Sequence, residues 1–422
     1  GSLPMGGGPL TMSNWMTRLR ATPVPMNGGT ITCGAAFTNT MMSNRVWIAC
    51  SNLTIATSAK IDVEGKGWAG KQTGTVVSAG WGPGAPRVGS YNGAAYGGYG
   101  RPGGAPSPAV IYGSVTEPTE PGSGGSGYPD NSYYGGNGGG AVRIDATGDV
   151  IVEGLITANA GAPAGNGGGS GSGGGILISC HTITGSGMVM ANGSAGGFGN
   201  TQPGGGGRIA VNYNSSAQGA IAVPAICYSC SSPSTQLAGA GDIGTLYFSD
   251  NRFLERNPLT GLTGQWHSSS ANISFTQLTV SNAWIRFVDD GINLTVANEL
   301  LLMTNARVEI GGNLTPSNFW WDYKTSASLG GKLPRPLSEM TSNPRLECGS
   351  ITLTNSGSLW VFAGLTNATV RTGAVVKVTT MLTVSTNSWL YPVSHGTNGG
   401  QVVMVLGGMK ILPGGGIDAS GL

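Results

Sequence analysis

Short runs of apolar and β-branched residues, closed by turn residues, dominate the chain. Val46–Ala49, Leu53–Ala56 and Lys60–Val63 are typical, and similar runs recur as far as Val402–Leu406. Each run has the length and composition of a β-strand. We find no long segment with the three-to-four-residue apolar period of a helix. The pattern therefore predicts an all-β protein.

Glycine tracts precede several of these runs and recur at nearly constant spacing. The triplets Gly138–Gly140, Gly173–Gly175 and Gly205–Gly207 follow one another in this way, and each leads into an apolar segment. Gly154–Asn159 also matches Gly187–Asn192 in the following copy. Repeats of this length are typical of stacked architectures in which each repeat contacts its neighbours.

The composition of the sequence changes after Ile273, where strand-like runs recur with few glycine tracts between them. The triplets Asn293–Thr295 and Asn313–Thr315 lie about 20 residues apart, which fits one turn, or rung, of a parallel β-helix. We therefore predict an all-β fold, a parallel β-helix (β-solenoid) with a glycine-rich repeat region. The predicted segments are N-terminal strands for assembly at 1–64, a glycine-rich repeat region at 65–262 and a C-terminal parallel β-helix at 263–422.

The segment from Gly65 to Asn137 is composed mainly of Gly, Pro, Tyr and Ser. Helix is disfavoured there, because each glycine costs about 1 kcal/mol relative to alanine. A structureless loop of this length is unusual in a compact domain. Two interpretations stay open: an ordered glycine-rich coil packed by its tyrosines, or a functional excursion.

Charge is scarce in this sequence. Only 9% of the residues are charged and the net charge is +2, with no basic block. Nucleic-acid binding is therefore not expected, because it requires a phosphate-neutralising patch. No apolar run approaches the roughly 20 residues of a membrane helix, and no signal peptide is recognisable at Gly1–Pro4. The balance favours an extracellular or cell-surface protein.

Six cysteines are compatible with an oxidising compartment. The spacing of Cys33 and Cys50 is close to one turn of a solenoid. The two cysteines are therefore a candidate pair for a disulfide between adjacent rungs. Cys227 and Cys230 form a lone CxxC without the second pair of a zinc ribbon or the βαβ setting of a thioredoxin site, which favours a local disulfide. Six cysteines permit 15 pairings, so the connectivity stays open.

Five segments together resemble large glycine-rich bacterial surface proteins with autotransporter-like or adhesin-like parallel β-helix repeats. They are Ile61–Gly67, Gly138–Gly140, Ile156–Asn159, Gly173–Ile176 and Gly204–Val211. The resemblance implies an exported, extended β-solenoid used in surface structure or adhesion. It implies no catalytic residues.

The densest aromatic cluster, Phe319, Trp320, Trp321 and Tyr323, is the candidate ligand or interface site. Aromatic faces stack on sugars or anchor interfaces, although we favour packing of these rings on the solenoid wall. Asp289–Asp290, followed by Gly291, is more simply a turn than a catalytic pair, because adjacent strand residues point to opposite faces.

No histidine spacing matches a metal or catalytic motif, and the glycine tracts lack the Gly-Lys-Ser/Thr of a phosphate-binding loop. We therefore expect no enzyme activity, no cofactor and no metal.

The combined pattern favours an extracellular structural protein that self-assembles end to end into a fibre or surface layer, with copies of itself as partners. The expected assembly elements are Val402–Ile417 and Thr30–Val63. Ile417–Asp418 near the end of the chain echoes Ile61–Asp62, so the sequence stops where another glycine-rich region is expected. Two interpretations stay open: a neighbouring copy completes the stack, or the chain was cut from a longer tandem array. One alternative is an adhesin segment that binds extracellular polysaccharide, in which the aromatic cluster and the tyrosines of residues 91–134 contact glycans. A less favoured alternative is a β-helical polysaccharide lyase or hydrolase.

Overall fold

The protein is described here by a computed structural model. Its described residues are 8–38, 41–72, 79–86, 92–101, 109–127, 134–163, 168–195, 202–223, 225–226, 241–311, 343–364, 366, 372–394 and 400–420. The chain forms two compact units, residues 1–249 and 250–422. In the described residues of both units, the regular structure is β-strand apart from one 3₁₀ turn, and this confirms the all-β prediction.

The described part of the first unit contains sixteen strands. They are β1 (Leu10–Met12), β2 (Leu19–Ala21), β3 (Val24–Met26), β4 (Gly29–Cys33), β5 (Val46–Cys50), β6 (Leu53–Ile55), β7 (Ala59–Asp62), β8 (Ala141–Ala146), β9 (Val150–Val152), β10 (Leu155–Thr157), β11 (Gly175–Ser179), β12 (Ile183–Thr184), β13 (Met188–Met190), β14 (Arg208–Asn212), β15 (Ala225–Ile226) and β16 (Thr245–Phe248).

These strands pair in parallel to form three ladders. Ladder 1 runs β1–β4–β7–β10–β13–β15. Ladder 2 runs β2–β5–β8–β11–β14–β16. Ladder 3 runs β3–β6–β9–β12. Consecutive strands thus pass from ladder to ladder, and each set of three forms one level of the unit.

The core of the first unit lies on one face of each ladder. In β5, Val46, Ile48 and Cys50 are buried, whereas the intervening Trp47 and Ala49 are only half-buried. This alternation follows from the two-residue period of a strand. In ladder 1, Ile31, Ile61 and Ile156 lie in register on successive strands and are fully buried. Each such side chain contributes about 1.5–3 kcal/mol by leaving water.

Between β7 and β8 the chain makes its long glycine-rich excursion, and the described parts of it are ordered coil. Successive residues bond to different neighbours: Gly138 donates to the Trp68 carbonyl, Gly139 to Ser172 and Gly140 to Val63, at 2.8–2.9 Å. An extended chain with three residues per turn and no internal hydrogen bonds points successive amides in different directions, so each amide can bond to a different neighbouring segment. The described part of Gly65–Asn137 is bonded in the same way: Gly122 donates to the Gly139 carbonyl and Gly124 to the Trp81 carbonyl, at 2.8–2.9 Å, and Tyr96 is fully buried. These residues agree with the first of the two interpretations, an ordered glycine-rich coil.

The second unit begins with a 3₁₀ turn at Arg252–Glu255, and fourteen strands follow among its described residues. They are β17 (Leu262–His267), β18 (Asn272–Phe275), β19 (Leu278–Ser281), β20 (Trp284–Phe287), β21 (Asn293–Met303), β22 (Arg307–Ile310), β23 (Arg345–Leu353), β24 (Ser358–Phe362), β25 (Ala374–Val378), β26 (Leu382–Val384), β27 (Trp389–Val393), β28 (Val402–Leu406), β29 (Met409–Ile411) and β30 (Gly416–Ile417).

Three parallel ladders form again in this unit. Ladder 4 runs β17–β20–β22–β24–β27–β30. The long strands β21 and β23 each serve two ladders. Their first halves join ladder 5, β18–β21–β23–β25–β28, and their second halves join ladder 6, β19–β21–β23–β26–β29.

Both register neighbours of the first Asn-x-Thr triplet are described, and neither of them is the second triplet. Asn293 lies beside Asn272 on one side and beside Arg345 on the other. Asn313 falls outside the described residues, and the strand beside Asn293 on the far side begins at Arg345. The predicted period therefore holds for the step from Asn272 to Asn293 and is then interrupted.

The strands of residues 1–64 do not form a body of their own. β5 pairs with β8 and β7 pairs with β10, so strands of the predicted N-terminal segment and of the glycine-rich region share ladders 1 and 2. None of the described residues form a helix of the length and apolar character needed to cross a bilayer.

Candidate functional site

The last level of the second unit, formed by β28, β29 and β30, is the candidate assembly surface. Each of these strands pairs on one side, with β25, β26 and β27 respectively, and the described residues place no strand on the other side. A strand edge of this kind presents unpaired main-chain donors and acceptors, which template the addition of another strand.

Core positions are exposed on this surface. Leu382 and Val384 on β26 are fully buried, and their register partners on β29 are Met409 and Ile411. Met409 is 52% exposed and Ile411 is 43% exposed. The two side chains occupy the positions that fill the core one level earlier, so among the described residues the surface combines strand edges paired on one side only with apolar side chains.

The other predicted assembly element, Thr30–Val63, lies inside the first unit. β4 is flanked by β1 and β7, β5 by β2 and β8, and β6 by β3 and β9. These strands have no free edge, because β1, β2 and β3 supply three further strands, so the role of Thr30–Val63 in assembly stays a prediction. Each of those strands is very short, and runs of that length cannot be distinguished from loop in the sequence.

A second feature of the second unit is an aromatic and charged column on the outward face of ladder 4. We define the column by Trp284 and Arg286 on β20, Arg307 and Glu309 on β22, Trp360 on β24, and Trp389 and Tyr391 on β27. Register places Arg286, Glu309, Trp360 and Tyr391 on successive strands. The column is continuous, because neighbouring strands in a parallel ladder lie about 4.8 Å apart.

Glu309 holds the inner part of the column together and is fully buried. Its carboxylate accepts hydrogen bonds from Arg286 Nε at 2.5 Å, Arg307 Nε at 2.6 Å and the Trp284 indole at 2.6 Å. Burial by itself raises the pKa of Glu309, but Arg286 and Arg307 outweigh burial and hold that pKa below its usual range. The Arg307 guanidinium also lies between the rings of Trp284 and Trp360, 4.2 and 4.6 Å from their centroids.

The outer part of the column reaches solvent. Tyr391 stacks on Trp360 with ring centroids 3.9 Å apart, and Trp389 follows at 6.4 Å with 37% of its surface exposed. The indole nitrogen of Trp360 is buried and has no hydrogen-bond partner among the described residues. The geometry thus offers a partly exposed aromatic face next to an unsatisfied donor.

The predicted aromatic site and one predicted disulfide lie outside the described residues. These are Phe319, Trp320, Trp321 and Tyr323, and the pair Cys227 and Cys230, so both stay predictions. Two tyrosines of the glycine-rich segment that the adhesin alternative assigned to glycan contact are instead buried: Tyr96 is fully buried, and Tyr99 is 7% exposed.

The predicted disulfide between Cys33 and Cys50 is wrong in the structure, where both are free, buried thiols. The register of Ile31 with Ile61 demonstrates that one level of this unit is much longer than the separation of the two cysteines. That separation therefore places Cys33 on β4 of ladder 1 and Cys50 on β5 of ladder 2. Burial raises the pKa of both thiols, to about 12 for Cys33 and about 11 for Cys50.

Asp289 lies in a turn, as the sequence predicts. Its main-chain carbonyl accepts from the Ile292 amide at 3.2 Å, and Gly291 has a φ of 66° that suits the reversal. The carboxylate accepts from the Ser268 amide at 2.9 Å and lies 3.6 Å from His267 Nδ1. Among the described residues, no cluster of three His, Cys, Asp or Glu side chains has metal-binding geometry.

The column was missed by the sequence analysis, although a signal for it exists. Trp284-x-Arg286, Arg307-x-Glu309 and Trp389-x-Tyr391 all place large aromatic or charged residues at two-residue spacing within a strand. That spacing puts both side chains of each pair on one face. The strands lie far apart in the sequence, so their alignment becomes visible only in the register of ladder 4.

Searches of family models, of curated proteins and of solved structures found no match to this chain.

Proposed function

We propose that each set of three ladders forms the faces of a parallel β-helix, and that the chain is an extracellular structural protein that assembles end to end. Consecutive strands pass through three ladders in turn, and each ladder is parallel, which is the connectivity of a β-helix. Main-chain pairing and inward apolar side chains stabilise such a stack along its length.

One observation carries the assembly proposal: the core-facing Met409 and Ile411 on the candidate assembly surface are half exposed. Their burial by an added level contributes roughly 25 cal/mol per Å² of apolar surface removed from water. The occupant that we propose is the level β1–β3 of a second copy, whose strands each pair on one side among the described residues. A contact between two different surfaces of one molecule is heterologous, and it propagates into a filament when its rotation does not close into a ring.

Electron microscopy of the full chain at several concentrations tests the assembly. We expect filaments for the wild type and loss of filaments in a Met409→Lys, Ile411→Lys double variant, because two buried charges then oppose the new contact. Val405→Lys is the matched control: Val405 is 54% exposed, but its register partner Lys377 is also exposed, so it faces outward.

Two results would contradict the proposal. Isolated particles at every concentration would show that the surface does not recruit a second copy. Filaments that persist in the double variant would place the contact elsewhere.

A second candidate function, polysaccharide binding, is favoured by the outer part of the column. Sugar rings stack on exposed aromatic faces, and Trp389 next to Tyr391 presents such a face. Binding of neutral oligosaccharides, followed by calorimetry, should be lost in Trp389→Ala and kept in Met381→Ala, which removes another exposed apolar side chain. Equal binding by both variants would exclude this site.

A further inference from the structure

A cluster of arginine and tryptophan side chains lies on the outward face of ladder 2 in the first unit. We define the arginine–tryptophan cluster as Trp15, Arg18, Arg45, Trp47 and Arg143. Trp47 on β5 lies in register with Arg143 on β8, and Arg18 immediately precedes β2 at the same position of the register. Three separate levels thus bring their cations to one place.

Arg45 occupies the centre of the arginine–tryptophan cluster. Its guanidinium carbon lies 4.5 Å from the ring centroid of Trp15 and 4.3 Å from that of Trp47. Arg143 and Arg18 approach the Trp47 ring at 4.9 and 5.4 Å. Cation–π attraction orients all three guanidinium groups around one indole.

The positive charge of the cluster exceeds the negative charge that faces it. Asp145 accepts from the Trp47 indole at 2.7 Å and from Arg143 Nε at 2.9 Å, so this carboxylate is already engaged. Arg45 is only 5% exposed, and its Nε has no hydrogen-bond partner among the described residues. Burial lowers the pKa of Arg45 to about 10, with repulsion from Arg143 acting in the same direction.

A buried guanidinium donor without an acceptor is costly, because it loses its hydration and gains no hydrogen bond in return. The group that best compensates it is an oxyanion, since guanidinium donors match the geometry of carboxylate and sulfate oxygens. The cluster is open to such a group: Arg18 is exposed, the Arg143 side chain is 34% exposed, and both tryptophans are half-buried. The indole faces suit the ring of a sugar that carries the oxyanion.

We propose that the arginine–tryptophan cluster is a binding site for an acidic saccharide, whose carboxylate or sulfate contacts the arginines and whose ring packs on the tryptophans. The site shares no residue with the candidate assembly surface or with the column, but Trp15 and Arg18 belong to the level β1–β3 that the assembly proposal docks onto a second copy. Calorimetry on the Met409→Lys, Ile411→Lys double variant, which is designed to remove that contact, therefore measures saccharide binding separately from filament formation.

Titration calorimetry of the full chain tests this site with four probes: tetragalacturonate, a sulfated heparin tetrasaccharide, neutral maltotetraose and inorganic sulfate. In the Trp389→Ala background, which lacks the proposed neutral-saccharide face of the column, we expect at least one acidic tetrasaccharide to bind and maltotetraose not to bind. Arg143→Gln should weaken that binding by about tenfold or more, because a charge-assisted hydrogen bond is worth about 1.5–3 kcal/mol. Arg345→Gln is the matched control, since it removes an exposed arginine of the second unit.

Several outcomes would overturn the inference. These are no binding of either acidic tetrasaccharide, equal binding of maltotetraose, or an equal loss in Arg143→Gln and Arg345→Gln. Equal affinity for inorganic sulfate and the sulfated tetrasaccharide would exclude a contribution from the tryptophans. Trp15→Leu provides a second variant on a half-buried side chain. It should weaken binding of the acidic tetrasaccharides without affecting binding of inorganic sulfate.

Discussion

At the scale of single residues, Glu309 is the most constrained charge described in the second unit. It is fully buried and balances two arginines that are themselves 4% and 9% exposed. A buried ion set adds little net stability compared with an apolar packing, but removal of one member leaves the others uncompensated. The contribution of the column to the stability of the protein therefore depends on the Glu309 carboxylate, which neutralises both arginines.

We expect Glu309→Gln to lower the free energy of unfolding by about 3 kcal/mol, because two buried guanidinium groups lose their counter-charge. Glu347→Gln removes a carboxylate that pairs with Arg345 and Lys377 at the surface, and it should cost less than about 1 kcal/mol. Guanidinium chloride unfolding followed by circular dichroism measures both. Equal losses would show that burial of Glu309 carries no special weight.

The pH dependence follows from the same carboxylate. Since the pKa of folded Glu309 lies below its usual 4.5, its stabilising contribution is present above about pH 4.5 and is lost as the pH falls through the folded value. Stability measured across this acidic range should therefore fall less steeply in Glu309→Gln than in the wild type. Parallel profiles would contradict the assigned direction.

At the scale of elements, the glycine tracts act as ordered coil segments that pack by their main chains. A Cβ built on Gly139 would lie 1.9 Å from the carbonyl oxygen of Ala158 and 2.6 Å from the amide nitrogen of Gly174. Real Cβ atoms do not approach main-chain atoms so closely, so the neighbouring segments would have to separate. Glycine at this position is required by the close approach of three segments.

Gly139→Ala should lower the free energy of unfolding by about 3 kcal/mol, at the upper end of the usual cost of overpacking, because the clash is with main chain. Gly219→Ala is the matched control, since a Cβ at the exposed Gly219 meets nothing within 4 Å. It should change stability by less than about 1 kcal/mol. Denaturant midpoints of the two variants decide, and a tolerated Gly139→Ala would disprove the close packing of these segments.

At the scale of the whole molecule, two compact units repeat one principle: three parallel ladders with apolar side chains on their inner faces. Free thiols are buried in both units, Cys33 and Cys50 in the first and Cys348 in the second. Burial raises the pKa of Cys348 to about 12, as it does for Cys33. These thiols thus report on the integrity of both units.

Alkylation of the unreduced chain by iodoacetamide, read by peptide mass spectrometry, should leave Cys33, Cys50 and Cys348 unmodified in the native state. The reason is that alkylation requires an accessible thiolate. After unfolding in concentrated guanidinium chloride, all three should react without any reductant. If Cys33 and Cys50 reacted only after a reductant was added, the result would support the Cys33–Cys50 disulfide that the sequence suggested.

The sequence by itself determined the local structure and the repeat. Short β-branched runs fix strands, and the match of Gly154–Asn159 with Gly187–Asn192 is realised directly, because Leu155 lies in register with Met188 at the same place in the next copy. The Asp289 turn was equally readable, since Asp-Asp-Gly chemistry acts over a few neighbouring residues. Interactions of short range leave a signature in the sequence.

Only the tertiary structure decided which distant residues meet. Asn293 neighbours Arg345 instead of Asn313, and Cys33 and Cys50 share a level instead of stacking. The arginine–tryptophan cluster and the column likewise join strands whose separation in the sequence varies with the inserted loops. In a parallel ladder the partner of a strand is set by where the chain returns after its connection. Because insertion length carries no record of that return, sequence spacing could not predict these contacts.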